Sequence, residues 1–591
     1  MTPAPIPVLR DRPRSSAVEA AAAQRGYSEL QGRVLAGRLP DSQAAGLSAT
    51  IRPAAADLDS PDSLPDIDIA ANRLADAVER GENILPVSDH DVDGVTSHCL
   101  IRATLIDVFH HPVEKVHSFI SHRMKEGYGI SEGVVSRIAA AGHCSGVLLS
   151  ADQGSSDEKR IARLKAMGVQ TIVTDHHGIE GAGPVSAYAV VNPTREDSRF
   201  PDKSIAGCHT AWLTMAATRQ ELIRRGRLPD NTPSLSSFLD ILALGVVADC
   251  VDLGASRNNR LLVQRGLAQI NRFDRPCWEA IRLMRGKDEP FTAEDLAFLA
   301  GPLLNARGRV DEAMLGVRFL RAQTVDQAIK FVATLKEANE ERKLIEKALK
   351  DEAMVIASRQ VDAGAEGLAL RLDNGHAGVH GIVASRIVEA FGRPTVCLSP
   401  KMGHPGIFSG SCRTVPGFHV RDALAAISEA SPDLLIAWGG HAGAGGLSLH
   451  ENGIEEFAAA WDDAVRQKDV DIGPIVWSDG ALTQAPDEGT LAELAVLAPY
   501  GRGFEAPIFH QTARIISARP VGAGGAHLQI VLEMRGRKVA SIWFNAQPAM
   551  RSLVEEGARV VAAFQVGSNE FRGNVTMQLQ LKGLWPSGSQ G

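Results

Sequence analysis

The sequence lacks several features that define membrane or secreted proteins. No apolar run approaches the ~18 residues of a membrane span, and the N-terminus has no apolar stretch of the secretory kind. The seven cysteines are dispersed and form no CxxC pair, which argues against a zinc ribbon or a disulfide framework. We therefore expect a cytoplasmic protein without a membrane partner.

Aromatic residues are also few, at 5%, whereas charged residues make up an ordinary 22%. At 591 residues the chain is too long for a single core, and domains of roughly 100–200 residues predict about three to five of them. The net charge of −8 argues against a nucleic-acid partner, but residues 500–591 contain ten Lys or Arg against five Glu, a local balance of +5. Such a basic segment is either a footprint for a polyanion or a merely solvated face.

Residues 87–97, VSDHDVDGVTS, place three carboxylates at alternate positions directly after an apolar run. The run predicts a buried strand that ends in a turn, and alternation sends Asp89, Asp91 and Asp93 to one side, with His90 pointing away from them. Carboxylates this close repel one another unless a cation holds them. An Asp-rich turn or helix cap is an equally good explanation of one such string.

The same pattern recurs three times. Residues 146–150, 169–174 and 241–248 are apolar runs that predict three more strands, followed respectively by Asp152, by Asp175-His176-His177 and by Asp249. The carboxyl ends of parallel strands meet at one edge of a sheet, so these side chains are expected to converge there with the first cluster.

This convergence changes how the histidine pair is interpreted. In isolation, His176 and His177 would be a surface pair, but beside several carboxylates they predict a metal site. Carboxylates with one or two imidazoles suit Mn²⁺ or Mg²⁺, and the ligand types leave a zinc pair open.

The second half of the chain predicts a spacer and two further domains. Residues 317–363 contain neither Gly nor Pro, and Thr324 with Gln327 forms a capping-box pattern, so one helix of ~36 residues, or ~54 Å, is expected there. Five β-rich runs after residue 473 suit a small barrel of the oligonucleotide-binding (OB) type. The predicted α/β protein has an N-terminal extension (1–65), a parallel-sheet domain (66–323), a connecting helix (324–360), a smaller α/β domain (361–470) and a C-terminal β-barrel (471–591).

Several residues outside the acidic clusters are suited to binding the substrate. Arg123 lies in a loop after the first acidic cluster, Ser411 and Arg413 lie in the smaller domain, and residues 439–447, GGHAGAGGL, surround His441 with glycines. Glycine permits close backbone approach, and these side chains donate well to phosphate, although turns use glycine too. Aromatic residues near the barrel are candidates for base stacking, although most barrel aromatics are core: Phe504, Phe509, Trp543, Phe544 and Phe571.

Taken together, the motifs resemble those of the DHH phosphoesterases. The four motifs of that family stand in order at 89–94 (DHDVDG), 152–154 (DQG), 175–177 (DHH) and 245–249 (GVVAD). GGHA with Arg413 resembles the family's second domain, called DHHA1. Further segments resemble its single-strand-specific DNA exonucleases: GIVASRI, PGFHVRDAL, LNARGRV, NEERKLIE and APYGRGFEAP.

The resemblance implies a set of site residues. It implies metal ligation by Asp91, Asp93, Asp152, His176 and Asp249, with Asp89 and His177 in or directly behind that set. It implies substrate binding by Arg123, Asn305, Arg309, Ser411, Arg413 and His441. Two divalent ions, Mn²⁺ or Mg²⁺, would activate water and neutralise the charge that develops on the phosphate.

The function that the resemblance implies is hydrolysis of single-stranded DNA from its 5′ end, releasing mononucleotides in DNA repair and recombination. A monomer is expected, with single-strand-binding protein and a repair helicase as candidate partners. One alternative is hydrolysis of short oligoribonucleotides or cyclic dinucleotides, which would not need the barrel. The other is a non-catalytic scaffold, which would have lost some of the acids.

Overall fold

The computed structural model describes residues 5–122, 126–310, 313–468, 470–546, 548–551, 553–571 and 574–587, with the side chains of 307–310, 523, 548, 549 and 571 excepted. Along these ranges no helix is both long and apolar enough to cross a membrane.

The N-terminal extension is folded and attached to the far end of the chain. Its strand Val8–Asp11 pairs in parallel with Ile475–Ser478, which lies between the smaller domain and the barrel. The indole of Trp585, at the end of the barrel, donates a hydrogen bond to the Pro7 carbonyl (2.8 Å). The extension also contains the helices Ser16–Gln24, Glu29–Ala36 and Leu47–Ile51.

The next domain is built on one parallel sheet, as predicted. Its strands follow the spatial order Phe119–Ile120, Ile84–Ser88, Gly146–Ala151, Val169–Thr174 and Ala189–Val191. The central strands are buried on both faces, because helices cover the sheet. These helices and the ones that extend the domain are Ile67–Arg80, Val92–Ala103, Glu132–Ala140, Glu158–Ala166, Gly207–Arg224, Leu239–Ala248, Arg257–Ile270, Pro276–Arg285, Ala293–Asp295, Gly301–Val310 and Met314–Leu320.

The strand predicted at 241–248 is wrong, because the chain forms the helix Leu239–Ala248 there. A continuous apolar run fits a fully buried helix as well as a strand, and this helix packs directly on Val92–Ala103. A Cβ on Gly245 would lie 2.4 Å from a side-chain oxygen of that neighbouring helix, so the contact requires glycine. Asp249 therefore follows a helix rather than a strand.

The predicted spacer is a single helix, Val325–Asp362, of 38 residues. The hydroxyl of Thr324 accepts a hydrogen bond from the Gln327 N–H (3.2 Å) and caps the first turn. The helix packs at its start on the parallel-sheet domain and at its end on the smaller domain. It joins the two domains without a break.

The smaller domain has a mixed five-stranded sheet. Its strands follow the order Leu435–Gly440, Ala444–His450, Ile407–Arg413, Thr395–Pro400 and Leu368–Arg371. One apolar core forms against the helices Val420–Ala430 and Ile454–Arg466, and another forms against His380–Phe391 and the end of the spacer helix.

The C-terminal domain is a closed five-stranded barrel, as predicted. The short helix Glu488–Ala495 precedes it, and a four-residue helix, Pro548–Arg551, lies between two of its strands. The barrel shares one hydrophobic cluster with the extension and the parallel-sheet domain, so the three are packed as a unit. The strands are Phe509–Val521, His527–Met534, Arg537–Trp543, Arg559–Phe571 and Asn574–Pro586.

Candidate metal centre

The first acidic cluster lies where strand Ile84–Ser88 gives way to helix Val92–Ala103. The strand ends before Asp89, and Asp91 caps the helix, with its Oδ1 accepting a hydrogen bond from the Gly94 N–H (3.1 Å). The prediction that alternation in an extended segment aligns the three acids is therefore wrong. A strand end, a helix cap and a first helical turn bring them together instead.

Gly94 is required by this tight turn. A Cβ at that position would lie 2.2 Å from the Asp89 carbonyl oxygen, a distance that no side chain tolerates. The backbone around Asp89 and Asp91 is thus fixed by close packing of main chain on main chain, which explains why a glycine follows the acids in the sequence.

Asp93 is held by a second element. Its Oδ2 accepts a hydrogen bond from the Gly207 N–H (2.7 Å) and its Oδ1 accepts one from the Cys208 N–H (2.9 Å). Both amides belong to the first turn of helix Gly207–Arg224, where free N–H groups and the helix dipole favour a carboxylate. The helix end therefore orients Asp93 toward the cluster.

Asp152 follows strand Gly146–Ala151 in a left-handed conformation, with φ of +60°. Non-glycine residues rarely adopt this conformation, and they do so mainly at turns and functional sites. The Asp152 N–H donates to the Thr174 carbonyl (3.0 Å) of the neighbouring strand, which fixes the turn. The turn directs the Asp152 carboxylate toward His176, with 3.2 Å between Oδ1 and Nε2.

His176 lies at the centre of the cluster. Its Nε2 is 3.6 Å from Asp249 Oδ2 and 3.9 Å from Asp93 Oδ2. Asp249 caps the carboxyl end of helix Leu239–Ala248, where the helix dipole disfavours a negative charge. A cation bound beside Asp249 would compensate this unfavourable charge.

Three groups of side chains place their ligand atoms within 4.8 Å of one another. Two of these groups have no residue in common, and together they contain all six residues predicted as ligands. The groups are Asp89, Asp91 and Asp152; Asp93, His176 and Asp249; and Asp152, His176 and His177.

The cluster carries more negative charge than its surroundings balance. Burial, followed by repulsion from Asp93 and Asp91, raises the pKa of Asp152 and of Asp249 well above the usual value for a carboxyl. Burial and repulsion from Asp89 raise the pKa of Asp91 as well. Asp152 Oδ1, His176 Nε2 and Asp249 Oδ2 are buried and lack a hydrogen-bond partner among the described residues.

Two acids at the margin of the cluster are stabilised as anions. Burial raises the pKa of Asp89, but the contact with His90 (3.0 Å between Oδ1 and Nδ1) and the hydrogen bond from Ser121 outweigh it and lower the pKa overall. The expectation that His90 points away from the acids is therefore wrong, and His90 acts as a partner of Asp89 rather than a member of a ligand group.

Asp175 is the second of these acids, and its histidine partner is His177. Its Oδ1 lies 2.8 Å from His177 Nδ1 and also accepts a hydrogen bond from the His176 N–H (2.8 Å). Desolvation lowers the pKa of His177, but Asp175 and the charges of Asp249 and Asp91 raise it to about 10. The His177 side chain is 58% exposed, so solvent weakens this effect.

The smaller domain faces this cluster with basic groups. His441 interacts electrostatically with His177 across the cleft, and burial together with the charges of Arg413, His177 and Arg502 lowers the pKa of His441. Arg413 lies at the end of strand Ile407–Arg413, over the first turn of helix His380–Phe391, where a Cβ on Gly381 would be 2.6 Å from Arg413 Nη2. The cleft thus has an acidic wall and a basic wall.

The remaining predicted substrate residues have different positions. Ser411 is half-buried in the same strand as Arg413, directly opposite Gly446. Asn305 is half-buried in helix Gly301–Val310, and its Oδ1 lacks a hydrogen-bond partner among the described residues. Arg309 belongs to the same helix but its side chain lies outside the described residues, as does Arg123 altogether.

The chain is similar to known proteins along most of its length. Three family models match the chain: "DHH family, N-terminal domain" at residues 83–246, "DHHA1 domain" at 364–467 and "RecJ OB domain" at 482–583. The "Single-stranded-DNA-specific exonuclease RecJ" of Salmonella typhimurium is 35% identical over 540 residues, which cover 88% of this chain and 91% of that protein. The chain belongs to the RecJ family.

Solved structures of RecJ have the same fold. The crystal structure of Thermus thermophilus RecJ in complex with Mn²⁺ matches with a TM-score of 0.75 and 25% identity, covering 98% of this chain and 79% of that one. The corresponding Mg²⁺ complex matches with a TM-score of 0.70 and 24% identity, covering 98% and 78%.

Sequence reasoning missed several groups of this RecJ-family site. The amides of Gly207 and Cys208 have no side-chain signal, because any residue supplies an N–H. Ser121, which supports Asp89, looks like an ordinary loop serine in the sequence. Arg502 lies within the segment APYGRGFEAP, but its position beside His441 depends on how the domains pack, which a local sequence pattern does not contain.

Proposed function

We propose that this chain is a metal-dependent exonuclease specific for single-stranded DNA, which degrades its substrate from the 5′ end and releases 5′-mononucleotides. We extend to it the activity for which the RecJ relatives are named. The repair role, the monomeric state, and contacts with single-strand-binding protein and a repair helicase belong to the same proposal.

One observation carries the proposal: two separate groups of three ligands meet at one edge of the parallel sheet. Their chemistry fits divalent cations, because the donors are carboxylate oxygens and imidazole nitrogens. Three of these atoms are buried without a hydrogen-bond partner among the described residues, and the carboxyl pKa values are raised by mutual repulsion. A pair of Mn²⁺ or Mg²⁺ ions would satisfy both conditions.

The first ion would be held by Asp89, Asp91 and Asp152, and the second by Asp93, His176 and Asp249. Bound there, divalent ions lower the pKa of water and neutralise the charge that develops on a phosphate during in-line displacement.

Other residues of the chain orient the ligands and the substrate. The amides of helix Gly207–Arg224 fix Asp93 before substrate arrives, so no reorganisation is needed during the reaction. His177, held by Asp175 (2.8 Å between Nδ1 and Oδ1), lies at the edge of the acidic wall, where its imidazole can donate to the substrate. Arg413 and His441 on the opposite wall would hold the phosphate of the terminal nucleotide.

The preference for a single strand is assigned to the shape of the chain as a whole. The barrel packs on the parallel-sheet domain, and it is the domain type that binds unpaired strands by stacking and charge. Phe544, 49% exposed, is the candidate base platform there, whereas Phe504, Phe509 and Trp543 are buried in the core.

The replacement Asp152→Asn tests the metal mechanism. The amide keeps the shape of the side chain but removes the charge common to two ligand groups, so hydrolysis of labelled single-stranded DNA should fall by about 10³-fold or more. Asp107→Asn is the control. Asp107 is 52% exposed and lies just after helix Val92–Ala103, roughly 20 Å from Asp93 in the first turn of that helix. Equal activity of the two variants would exclude the proposed ligand set.

A second assay tests strand and direction. Single-stranded and duplex DNA are labelled at either end and blocked at the 5′ or the 3′ end, with Mn²⁺ and Mg²⁺ titrated separately. We expect mononucleotide release from single strands only, stopped by the 5′ block. Release that a 3′ block stops would reverse the proposed direction, and cleavage within the strand would contradict an exonuclease.

A further inference from the structure

The loop that precedes the barrel places an arginine in the cleft. We name residues 497–505 the pre-barrel loop. The loop brings Arg502 beside the glycine-rich turn of the smaller domain, because a methyl group on Gly443 would lie 3.7 Å from Arg502 Nη2 and 3.8 Å from His441 Cε1. Arg502 also interacts electrostatically with Cys250, the residue after Asp249. It therefore lies between the two walls.

The backbone of the pre-barrel loop is fixed to the parallel-sheet domain. The Leu253 N–H donates to the Arg502 carbonyl (2.9 Å). A Cβ on Gly254 would lie 2.4 Å from the Gly503 carbonyl oxygen, and Gly503 itself has φ of +73°, so main chain packs directly on main chain here. Arg502 is thus presented from a rigid position.

A buried arginine provides the second attachment. The guanidinium of Arg260, fully buried, donates hydrogen bonds to the carbonyls of Leu497 and of Pro499 (3.2 Å) in the loop. It also lies over the ring of Phe504, with 4.5 Å between Cζ and the ring centroid. Both ends of the loop are therefore held by one side chain.

The side chain of Arg502 is left without a structural role. It is exposed, and within the part of the chain that the structure describes it forms no ion pair and no side-chain hydrogen bond. By contrast, Arg38, which donates to the Glu505 carbonyl of the same loop (2.7 Å), is paired with Asp479 (2.9 Å between Nη2 and Oδ2). A rigidly held, unpaired cation in a cleft is typical of an anion site.

We propose that Arg502 binds a phosphodiester of the single strand next to the scissile phosphate, so that the pre-barrel loop supplies a positioning residue for the hydrolytic site. This inference rests on the proposed function. It assigns the contact to the nucleotide at the metal centre rather than to the distal strand on the barrel, because Arg502 neighbours His441 and Cys250.

The experiment measures binding in the inactive Asp152→Asn background of the full chain. The probes are the dinucleotide pdTdT and an oligo-dT of about 20 nucleotides, each titrated at several KCl concentrations. Arg502→Ala should weaken binding of both probes by about tenfold and make the slope of log K against log salt shallower by about 0.7. Arg502→Lys should restore the slope but only part of the affinity, because the planar fork is lost.

Arg224→Gln is the matched control. Arg224 is 71% exposed and ends helix Gly207–Arg224, ~27 Å from the end that holds Asp93. It should leave both probes and the slope unchanged.

The outcomes separate the two proposals. If Arg502→Ala behaves like Arg224→Gln, or weakens the binding of the long probe only, the inference is wrong. The proposed function is then still tested separately, by whether the wild type hydrolyses DNA. If Arg502→Ala weakens the binding of both probes and Arg224→Gln does not, but the wild-type chain fails to hydrolyse DNA, the proposed function is wrong and the contact between Arg502 and the strand is still supported. In the active enzyme, Arg502→Ala should raise KM more than it lowers kcat, whereas a structural role would lower the melting temperature instead.

Discussion

Asp152 belongs to the acidic wall, whereas Arg502 lies between that wall and the basic groups of the smaller domain, and their surroundings differ. Asp152 is 3% exposed, in a strained turn, among carboxylates that raise its pKa. Arg502 is exposed, on a tight loop, with no ion pair among the described residues. The acidic side chains are thus ordered by their packing before substrate arrives, whereas Arg502 is exposed to solvent.

The difference follows from what each wall would bind. Small cations need ligands fixed to within a fraction of an ångström, and one domain supplies all of them from adjoining strand and helix ends. A flexible strand tolerates less exact contacts, and the groups proposed to bind it come from a strand end and a turn of the smaller domain and from the pre-barrel loop. Substitutions that disturb the packing should therefore lower activity strongly on the acidic wall and only weakly on the basic wall.

Paired glycine substitutions test this comparison most directly. Gly94→Ala would place its Cβ 2.2 Å from the Asp89 carbonyl oxygen, so Asp89 and Asp91 must move, and hydrolysis should fall by about 10²-fold or more. Gly439→Ala, on the basic wall, has no atom within 4 Å of the new Cβ. It should lose less than about tenfold in activity and about 0.5 kcal/mol in the free energy of unfolding. Similar losses would show that both walls are equally tight.

The attachment of the basic wall is tested by Arg260→Met. Removing the guanidinium leaves the buried carbonyls of Leu253, Leu497 and Pro499 without this donor, while the Ile51 carbonyl keeps Gln264 Nε2 (3.0 Å). The free energy of unfolding should therefore fall by about 3 kcal/mol in urea titrations. Arg10→Met removes a 44% exposed ion pair and should cost less than about 1 kcal/mol. A small effect of Arg260→Met would mean that the pre-barrel loop is held mainly by apolar contacts.

Much of the acidic wall could be predicted from the sequence, because its residues directly follow apolar segments. Asp152 and His176 lie where strand ends were expected. Asp249 was predicted at the right edge for the wrong reason, since an apolar run does not distinguish a buried helix from a strand. The local geometry of Asp91 was also wrong, because a helix cap replaced the expected extended segment.

The basic wall was harder to predict. Arg413 and His441 were predicted from a weak glycine-rich pattern and from a family motif, and Arg502 was not predicted as a site residue. Which basic side chains enter the cleft depends on how three domains pack together, and the docking is set by contacts far apart in sequence, such as Arg38 with Asp479. No local pattern contains that information.

The charge excess of the acidic wall predicts how stability depends on pH without metal. Asp152 has a higher pKa when folded than when unfolded, so it contributes full stability below the unfolded value of about 3.9, and this is lost as pH rises through the folded value. In EDTA, the free energy of unfolding of the wild type should therefore fall by about 1–2 kcal/mol more than that of Asp152→Asn as the pH rises from about 4 to about 8. The measurement is urea unfolding at each pH.

Mn²⁺ gives the complementary test of the same wall. Cations compete with protons for these carboxylates, so added Mn²⁺ should stabilise the wild type more at about pH 8 than at about pH 5, and Asp152→Asn much less. Asp107→Asn should follow the wild type in both conditions, because its carboxyl is 52% exposed and pairs with Arg321. If the wild type has the same free energy of unfolding in EDTA and in Mn²⁺, the negative charge of the acidic wall is compensated without cations. The two walls would then differ only in how tightly they are packed.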